Sequence, residues 1–421
     1  MSAPKIAIIG AGPAGLTLAR LLQYNGISCI VHEREPNLKS RDQGGTLDLH
    51  PDGGLLALKE AGLYDEFLKY ARPEGEVLKI YLPNGDLIMD EGNNADQARP
   101  KEMHGRPEID RINLRTMLLE SLSPESIKWG RKLQKVERVQ DQDGNVTYDL
   151  HFNDGVDRGI NLLVGADGAW SKVRPLITPS QPYYSGIAGY DVRITNADER
   201  EPGLAKRCGH GMCLTLGPNK GILSQKNGDG TIRTYGFMRA PESWEEESGL
   251  NFKSPETALP EFIKQNYNDW AQDAKDNVLK ADLETAIPRK MWMLPVGLRW
   301  ESQPNVTVLG DAAHLMTPFA GVGVNVAMQD ALVLGRNIIK LRNEGVKSFA
   351  SAVSDYETEM FDRAEKYATQ TMMYLGLFFH ERGGVAMVEH FDRVKAKEAA
   401  DQAAIEIPTP IAPEQKVDTI A

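Results

Sequence analysis

The stretch of this 421-residue chain with the most chemically useful residue types is GDAAHLMTPFAGVGVNVAMQDA, at 310–331. Asp311 follows a turn glycine and a predicted strand, so its carboxylate can accept hydrogen bonds from sugar-type hydroxyls. Pro318 begins a loop that runs through Gly321, Val322, Gly323 and Val324 into a predicted helix. Unhindered amides at a helix N-terminus stabilise negative charge on a ligand. The stretch therefore predicts a site with a carboxylate for hydroxyl groups and amides for an anionic ring edge.

A second candidate site is the glycine-rich turn GAGPAG, which follows the apolar run IAII and opens a predicted helix. In a dinucleotide-binding turn, Gly10 permits the tight turn, Gly12 lets a pyrophosphate approach the backbone, and Gly15 lets helix and strand pack closely. Glu33 ends the next predicted strand, where an acid binds ribose hydroxyls and repels a 2′-phosphate. The pattern favours FAD or NAD over NADP, against the alternative of an ordinary turn.

A third element, LLVGADGAWSKVR at 162–174, predicts a strand that ends at Gly165 and a turn through Asp167 and Gly168. A helix is expected to follow, with Ser171 and Arg174 near its start. On its own this pattern also suits a simple β-turn-helix. An NAD dehydrogenase does not need a further glycine loop as late as 321–323, whereas a reduced flavin carries negative charge at N1 and the C2 carbonyl. The three elements together favour FAD.

The elements that position these residues are typical of an α/β protein. Residues 5–33 read as strand, turn, helix and strand, and 305–309 returns to a buried strand. Between 182 and 286 short β-like runs alternate with turn clusters, which predicts a separate antiparallel sheet. Helices are expected from about 325 to 343 and from 348 to 373, and the proline-rich end is expected to be disordered.

Bulk composition excludes several classes of protein. A net charge of −11 argues against a nucleic-acid or anionic-membrane surface. The apolar stretch at 372–379 is far shorter than the ~20 residues that cross a bilayer. The three cysteines have no metal-ligand spacing, and their odd number argues against a disulfide framework. We therefore expect a cytoplasmic protein, monomeric, with no metal site and a small-molecule partner.

The three motifs in this order resemble those of the FAD-dependent aromatic hydroxylases, the group A flavoprotein monooxygenases. The resemblance extends from Lys5 to about Met373. Within that family the chain is most similar to the tetracycline-inactivating monooxygenases, over GGTLDLHPDGGLLALKEAGL at 44–63, RPEIDRINLRTMLLESL at 106–122 and residues 310–325. The resemblance implies FAD contacts from the following residues: Glu33, Arg34, Asp48, Arg115, Asp311 and the loop Gly321–Val324. It also implies that Arg41 contacts NADPH. For Asp48, Arg115 and Arg41 the residues alone favour solvated charges.

The chain departs from that subgroup where the substrate is bound. The subgroup holds its substrate with a glutamine and an arginine, and the matching positions here are Gly189 and Met212, with Tyr190 adjacent. No Gln occurs between Gln181 and Gln225, although Arg207 could replace the arginine. We expect a pocket that prefers a flatter aromatic compound than tetracycline and is lined by Gly189, Tyr190, Met212 and Pro318. Replacing Met212 with Arg and Gly189 with Gln is expected to improve the use of tetracycline. For His314 a structural hydrogen bond is expected, and for His210 a surface position.

The predicted architecture is an FAD-binding domain with an inserted antiparallel substrate domain and a long C-terminal helix. The expected boundaries are 1–72, 101–178 and 296–345 for the FAD domain, 73–100 and 179–295 for the substrate domain, 346–402 for the helical segment and 403–421 for the tail. The expected reaction is hydroxylation of an aromatic or polycyclic phenol with NADPH or NADH and O2, through a flavin C4a-hydroperoxide, in secondary metabolism or antibiotic inactivation. The alternatives are a flavin dehydrogenase or oxidase on the same fold and a non-catalytic flavin-binding protein.

Overall fold

The computed structural model describes residues 4–38, 40, 44–91, 105–345 and 348–405, with side chains described as far as residue 400. The strands are β1 Ile6–Ile9, β2 Ile30–His32, β3 Thr46–Asp48, β4 Leu78–Tyr81, β5 Leu87–Asp90, β6 Glu108–Asp110, β7 Ile127–Lys128, β8 Leu133–Gln140, β9 Val146–Phe152, β10 Gly155–Ile160, β11 Leu162–Gly165, β12 Tyr183–Ile194, β13 Met212–Gly217, β14 Lys220–Lys226, β15 Ile232–Arg239, β16 Ile287–Met293 and β17 Val306–Val308. The helices are α1 Pro13–Tyr24, α2 Gly54–Glu60, α3 Tyr64–Leu68, α4 Arg111–Glu120, α5 Ala197–Arg200, α6 Pro202–Cys208, α7 Trp244–Glu247, α8 Pro255–Tyr267, α9 Gln272–Leu279, α10 Asp311–His314, α11 Gly323–Asn343, α12 Ala350–Phe378 and α13 Gly384–Ile405.

A five-stranded parallel sheet with the order β17-β11-β1-β2-β7 carries the glycine-rich turn. Strand β1 lies at its centre, paired with β11 on one side and β2 on the other, and all four of its residues are buried. Continuous apolar runs such as IAII and LLVG suit a parallel sheet because both of its faces are covered. Helix α1 leads from β1 to β2 and packs against α11. The predicted α/β fold class is confirmed.

The second large sheet has seven strands in the order β16-β12-β15-β14-β13-β4-β5. Its neighbouring strands are antiparallel, except that β4 runs parallel to β13. The sequence indicated an antiparallel sheet over 182–286, and β12 to β15 form its centre. One face packs on α8 and α9 through aromatic residues, and the other packs on Phe319 and on α12 and α13. Both faces are therefore covered.

Two smaller sheets complete the fold. Strands β10, β9 and β8 form an antiparallel meander, and β3 pairs with β6 in a two-stranded ribbon. In that ribbon Asp48 stands opposite Glu108. The backbone of Arg72, on the connection that leads to β4, is hydrogen bonded to this ribbon, with Arg72 N donating to Glu108 O at 2.8 Å.

The C-terminal segment contains two helices, α12 and α13, where the sequence suggested one long helix. The chain turns between them at Gly383, whose φ of +54° suits glycine. A Cβ at Gly383 would lie 2.7 Å from the carbonyl oxygen of Leu216, so a larger residue would push the turn off β13. Helix α13 runs to Ile405, so residues 403–405 of the tail expected to be disordered are helical, and the rest of that tail, 406–421, lies outside the described residues. Among the described residues, no helix combines the length and apolar character needed to span a bilayer.

Candidate functional site

The three glycines of the N-terminal turn meet three different surroundings. Gly10 has a φ of +107°, and a Cβ there would lie 2.3 Å from the carbonyl oxygen of Ala166. A Cβ at Gly15 would lie 2.2 Å from the carbonyl oxygen of Gly10, so this glycine permits the close packing of α1 on β1. At Gly12, by contrast, no described atom lies within 4 Å of the Cβ position. The backbone at Gly12 therefore faces open space at the N-terminus of α1, where an anionic group is favoured.

The backbone of this turn is held by a buried charge network that includes Glu33, Glu35 and Arg115. Glu33 Oε2 accepts a hydrogen bond from Ala11 N at 2.8 Å. Arg115 Nε donates to Ala11 O at 2.8 Å, and its Nη1 donates to Glu35 Oε2 at 2.9 Å. Arg115 Nη2 has no hydrogen-bond partner among the described atoms and lies 3.6 Å from Glu33 Oε2. Arg115 is thus a buried donor at the Gly10–Gly15 turn, and the solvated charge that the residues alone suggested is wrong.

The second turn, at 165–174, is anchored by Arg174. Its Nη2 donates to Ala169 O at 2.8 Å, its Nε to Ser180 O at 3.1 Å and its Nη1 to Ala312 O at 3.2 Å. Because Ala312 belongs to α10, one buried guanidinium connects the second and third motifs. The helix predicted here is only a 3₁₀ turn, Arg174–Leu176, since Pro175 lacks the amide that a longer helix needs.

Asp167 of the second turn points one oxygen at protein and leaves the other without a partner. Oδ2 accepts from Lys172 N at 2.7 Å, whereas Oδ1 is buried with no partner among the described atoms. Burial raises the pKa of Asp167, and hydrogen bonds from Ser171 and the Lys172 amide lower it. An unpaired buried acceptor is costly, so Asp167 fits a site that a ligand donor completes.

The third motif is positioned by Asp330, a residue of α11 that is fully buried. Asp330 Oδ2 accepts from Gly310 N at 2.9 Å and lies 2.5 Å from His314 Nε2, and Oδ1 accepts from Arg363 Nη2 at 2.8 Å. Burial alone would lower the pKa of His314, but the Asp330 carboxylate outweighs it and raises that pKa. His314 therefore makes the structural hydrogen bond that the sequence suggested.

Asp311 faces the opposite way from this network. Its side chain is exposed, yet enough protein surrounds it that desolvation raises its pKa, while His314 and Arg111 lower it. A carboxylate that is accessible to solvent and still surrounded by protein lies in a deep cleft. The fixed turn at Gly310 and the exposed Asp311 side chain thus suit a ligand hydroxyl.

The loop 318–324 lies against the strand that carries Asp48. Gly321 has a φ of +67°, and the nearest described atom to a Cβ there would be Asp48 Oδ1, at 3.5 Å. Gly323 opens α11 with no described atom within 4 Å of its Cβ position, and Val322 is buried beneath the loop. The Pro318 and Gly321 side of the loop is exposed. The amides therefore border an open cleft.

Asn325, which the sequence reasoning missed, connects this loop to residues 48–54. Its Oδ1 accepts from His50 N at 2.7 Å and from Gly54 N at 3.1 Å, and its Nδ2 donates to Asp48 O at 2.8 Å. One buried amide therefore sets the distance between Asp48 and the glycine loop. The only sequence signal was its position in the first turn of α11.

The cleft-facing side of the seven-stranded sheet carries a buried ion pair and aromatic rings. Arg233 Nε donates to Asp191 Oδ1 at 3.0 Å and Nη2 to Oδ2 at 2.5 Å, a bidentate pair. Tyr235 follows on the same face of β15 and shares an apolar cluster with Phe237 and with Phe319 of the loop. The sequence reasoning missed Asp191 and Arg233, because nothing in the local pattern showed their pairing across two strands.

The predicted substrate residues separate onto two faces of the sheet. Gly189 shares the face of Asp191, since side chains alternate along a strand, and Met212 belongs to the cleft-side apolar cluster. Tyr190 points the other way and is 1% exposed among Trp244, Phe252 and Phe262. A substrate contact from Tyr190 is therefore wrong. Arg207 does not replace the missing arginine either, because it lies over Tyr81 and pairs with Asp273.

Two other predicted contacts are Arg34 and Arg41. Arg34 is exposed beside the buried Glu33 network, and Arg41 lies outside the described residues. The chain resumes at Gly44, where a Cβ would lie 3.1 Å from Arg111 Nε and 3.2 Å from Arg233 Nη1. The segment that leads into β3 therefore passes between α4 and the substrate sheet, at the edge of the cleft.

Comparison with known proteins bears on the family and the fold of this chain. The family described as FAD binding domain matches residues 4–371. Monooxygenase asqM of Emericella nidulans is 31% identical, over 90% of this chain and 96% of that protein. The fold is similar to that of Klebsiella pneumoniae HpxO complexed with FAD and uric acid, with a TM-score of 0.72 at 20% identity and 93% coverage of both chains. It is also similar to that of tetracycline destructase Tet(55), with a TM-score of 0.70 at 17% identity, over 97% of this chain and 99% of that chain.

Proposed function

Because the chain belongs to the FAD-binding family of group A flavoprotein monooxygenases, we propose that it hydroxylates an aromatic or polycyclic phenolic compound with NADPH or NADH and O2. The observation that carries this proposal is that the exposed glycines Gly321 and Gly323 begin α11 next to Phe319, which packs in one apolar cluster with Tyr235 and Phe237 of the substrate sheet. A flat ring can lie in such a cleft, beside the loop amides that favour an electron-rich ring edge.

The residues of the cleft fit FAD. Glu33 and Arg115 would hold the ribose and phosphate end at the open backbone of Gly12, and Asp311 would hold the chain between the phosphates and the ring. Val322, Gly323 and Val324 would offer their amides to the ring, and Asp48 borders the same loop. When bound, FAD supplies the redox chemistry, accepting a hydride and activating O2 by the route expected from the sequence. Protein side chains bind, orient and exclude water.

The substrate side of the cleft favours a flat aromatic compound. Met212 and Tyr235, which are only partly buried and pack on the apolar cluster of Phe237 and Phe319, supply an apolar surface, and Gly189 offers no side chain for hydrogen bonding. A decorated polar ligand would leave hydrogen-bonding groups buried without partners, at ~1–3 kcal/mol each. We therefore expect weak or no turnover of tetracycline. Arg34 would contact FAD, and the pyridine nucleotide would approach near Arg41; both placements rest on the family resemblance.

The test is stopped-flow reduction of the purified flavoprotein with NADPH and with NADH, with and without a panel of phenolic and quinonoid polyketides. Under ¹⁸O2 a hydroxylase incorporates one labelled oxygen per turnover, which product mass spectrometry reads directly. A dehydrogenase or oxidase would yield product without the label. A non-catalytic flavin-binding protein would stay oxidised with every pair of reductant and ligand. Either result would overturn the proposal.

A further inference from the structure

The cleft-facing side of the seven-stranded sheet is divided into a charged part and an apolar part. On β12 and β15 it carries the ion pair of Asp191 and Arg233, whereas β14 and β13 contribute leucines to the apolar cluster of Phe319. Tyr235 lies at the boundary, because it stands opposite Asp191 and also packs on that cluster. A ligand in this part of the cleft therefore meets an apolar wall on one side and charged groups on the other.

Arg289 of the edge strand β16 belongs to the charged part. It stands directly opposite Gly189 on β12, so the neighbouring position holds no side chain. Side chains alternate along a strand, so Met291 faces the same side as Arg289, and Met291 packs on the cluster that contains Phe319. Since Phe319 leads into the glycine loop at 321–323, Arg289 lies on the part of the sheet that borders the proposed flavin site.

Two arginines contact Asp191, and they differ in how they bind it and in what covers them. Arg233 is buried, binds both carboxylate oxygens, and is covered by Gly44, whose Cβ position lies 3.2 Å from Arg233 Nη1. Arg289 contacts Oδ2 alone, with Nε and Nη2 both at 3.3 Å, and its side chain is 43% exposed. These distances are longer than those of a strong charged hydrogen bond. Because Arg233 already matches the charge of Asp191, the burial of Asp191 does not require Arg289.

The guanidinium of Arg289 keeps one end for a ligand. Its Nε edge faces Asp191, and among the described residues no atom accepts a hydrogen bond from Nη1. A guanidinium binds a carboxylate through two parallel N–H groups, a geometry that a lysine ammonium does not offer. The whole chain has a net charge of −11, so a local cation is needed where an acidic ligand is to bind. The exposed end of Arg289 therefore suits a carboxylate.

We infer that Arg289 binds a carboxylate of the substrate, and that the substrate is a flat aromatic acid with its ring against the partly buried side chains of Tyr235 and Met291. The inference rests on the proposed function, because it takes the ligand of this sheet to be the compound that is oxidised. One acidic group at the β16 edge has a partner in Arg289, whereas polar groups at the opposite end of the ring would meet only the apolar part. Arg289 thus determines both the class of substrate and its orientation.

The test measures the binding of two matched probes, 2-naphthoate and 2-naphthamide, which have the same shape and differ in charge. Each is titrated into the oxidised holoenzyme without NADPH or NADH, and the change in flavin absorbance gives the dissociation constant. Wild type should bind the acid at least about tenfold more tightly than the amide, the effect of one charged hydrogen bond. This preference should decrease as salt is raised from about 0.01 M to about 1 M, because salt screens an exposed charge.

Three variants assign the preference to one side chain. R289Q removes the charge and should bring the two dissociation constants within about twofold of each other, by weakening the binding of the acid alone. R289K keeps the charge without the planar fork and should retain only part of the preference. The matched control is K290Q on the same strand, because Lys290 faces the other side of the sheet and pairs with Glu245 at 3.8 Å. K290Q should keep the preference of wild type.

Equal binding of both probes by wild type, binding of neither, or a preference that survives in R289Q would overturn the inference, as would its loss in K290Q. If R289Q does not retain FAD, R289K decides, and a preference equal to that of wild type refutes the role of Arg289. The ¹⁸O2 experiment judges hydroxylation separately. Labelled product from a neutral phenol, with no preference for the acid, refutes only the inference about Arg289; a preference for the acid without labelled product refutes only the hydroxylase.

Discussion

Replacing Asp330 with asparagine, which has almost the same volume, should be among the most destabilising single substitutions in this protein. The carboxylate is fully buried and binds Gly310 N, His314 Nε2 and Arg363 Nη2 at 2.9, 2.5 and 2.8 Å. Asparagine keeps one acceptor oxygen but leaves the Arg363 charge without a counter-ion. Removing one partner of a buried ion pair costs about 3–5 kcal/mol. That is a large fraction of the ~5–15 kcal/mol by which native proteins are stable.

The pH dependence of this loss has a predictable sign. Because the pKa of His314 is raised, the His314–Asp330 pair stabilises the fold fully at any pH below the ordinary histidine pKa of 6.5. This stabilisation is lost as pH rises through the raised pKa of His314. The pKa of Asp330 is lowered: burial alone would raise it, but His314 and Arg363 outweigh burial. Its contribution is therefore lost as pH falls below the ordinary value of 3.8. The difference between wild type and D330N should be largest between about pH 4 and pH 6.5 and decrease on either side.

Urea unfolding of the apoproteins at several pH values measures both effects, and gel filtration measures the FAD that each variant retains. D330N should also bind FAD more weakly, because Gly310 and α10 position Asp311. The matched control is D362N, on the helix that carries Arg363, whose exposed carboxylate pairs with Arg299 at 2.8 Å; it should change stability by less than ~1 kcal/mol. A loss below ~1 kcal/mol in D330N, or a pH-independent loss, would refute the assigned network.

D311A should leave the unfolding free energy nearly unchanged but weaken FAD binding by about 10- to 100-fold, because a charged hydrogen bond contributes ~1.5–3 kcal/mol. Equal FAD dissociation constants in variant and wild type would show that Asp311 does not contact the cofactor. G321V should slow flavin reduction, because the loop that would hold the ring must shift, and it should also lower stability, because valine is strained at the φ of +67° that Gly321 adopts beside the Asp48 carboxylate; unchanged reduction kinetics would contradict the position of the loop. G189Q, which the sequence suggested as a route to tetracycline use, should instead lower stability by roughly 2–5 kcal/mol, because a Cβ there would lie 1.9 Å from the carbonyl oxygen of Gly236 and the φ of +156° disfavours a side chain. The M212R variant should fold normally. Normal folding of G189Q would contradict the close approach of β12 and β15.

The sequence by itself determined the parts of this protein that depend on neighbouring residues along the chain. The turn at Gly10–Gly15, the strand before Asp311 and the loop Gly321–Val324 each have a geometry that a few consecutive residues specify. Glycine at a positive φ and amides at a helix N-terminus act locally. For that reason the fold class and the nature of the cofactor could be predicted, and Glu33 and Asp311 could be put forward as candidate cofactor contacts.

The tertiary structure alone decided which distant groups pair. Asn325 reaches back to residues 48–54, Arg174 holds α10, and Glu108 meets Gln225 of another sheet. The sequence spacing of such pairs carries no signal, because their distance depends on how whole elements pack. Tyr190 and Gly189 make the same point within one strand: a shift of a single residue exchanges the two faces of a sheet. Only the pairing of β12 with β15 and β16 decides that Gly189 faces the cleft and Tyr190 the aromatic core.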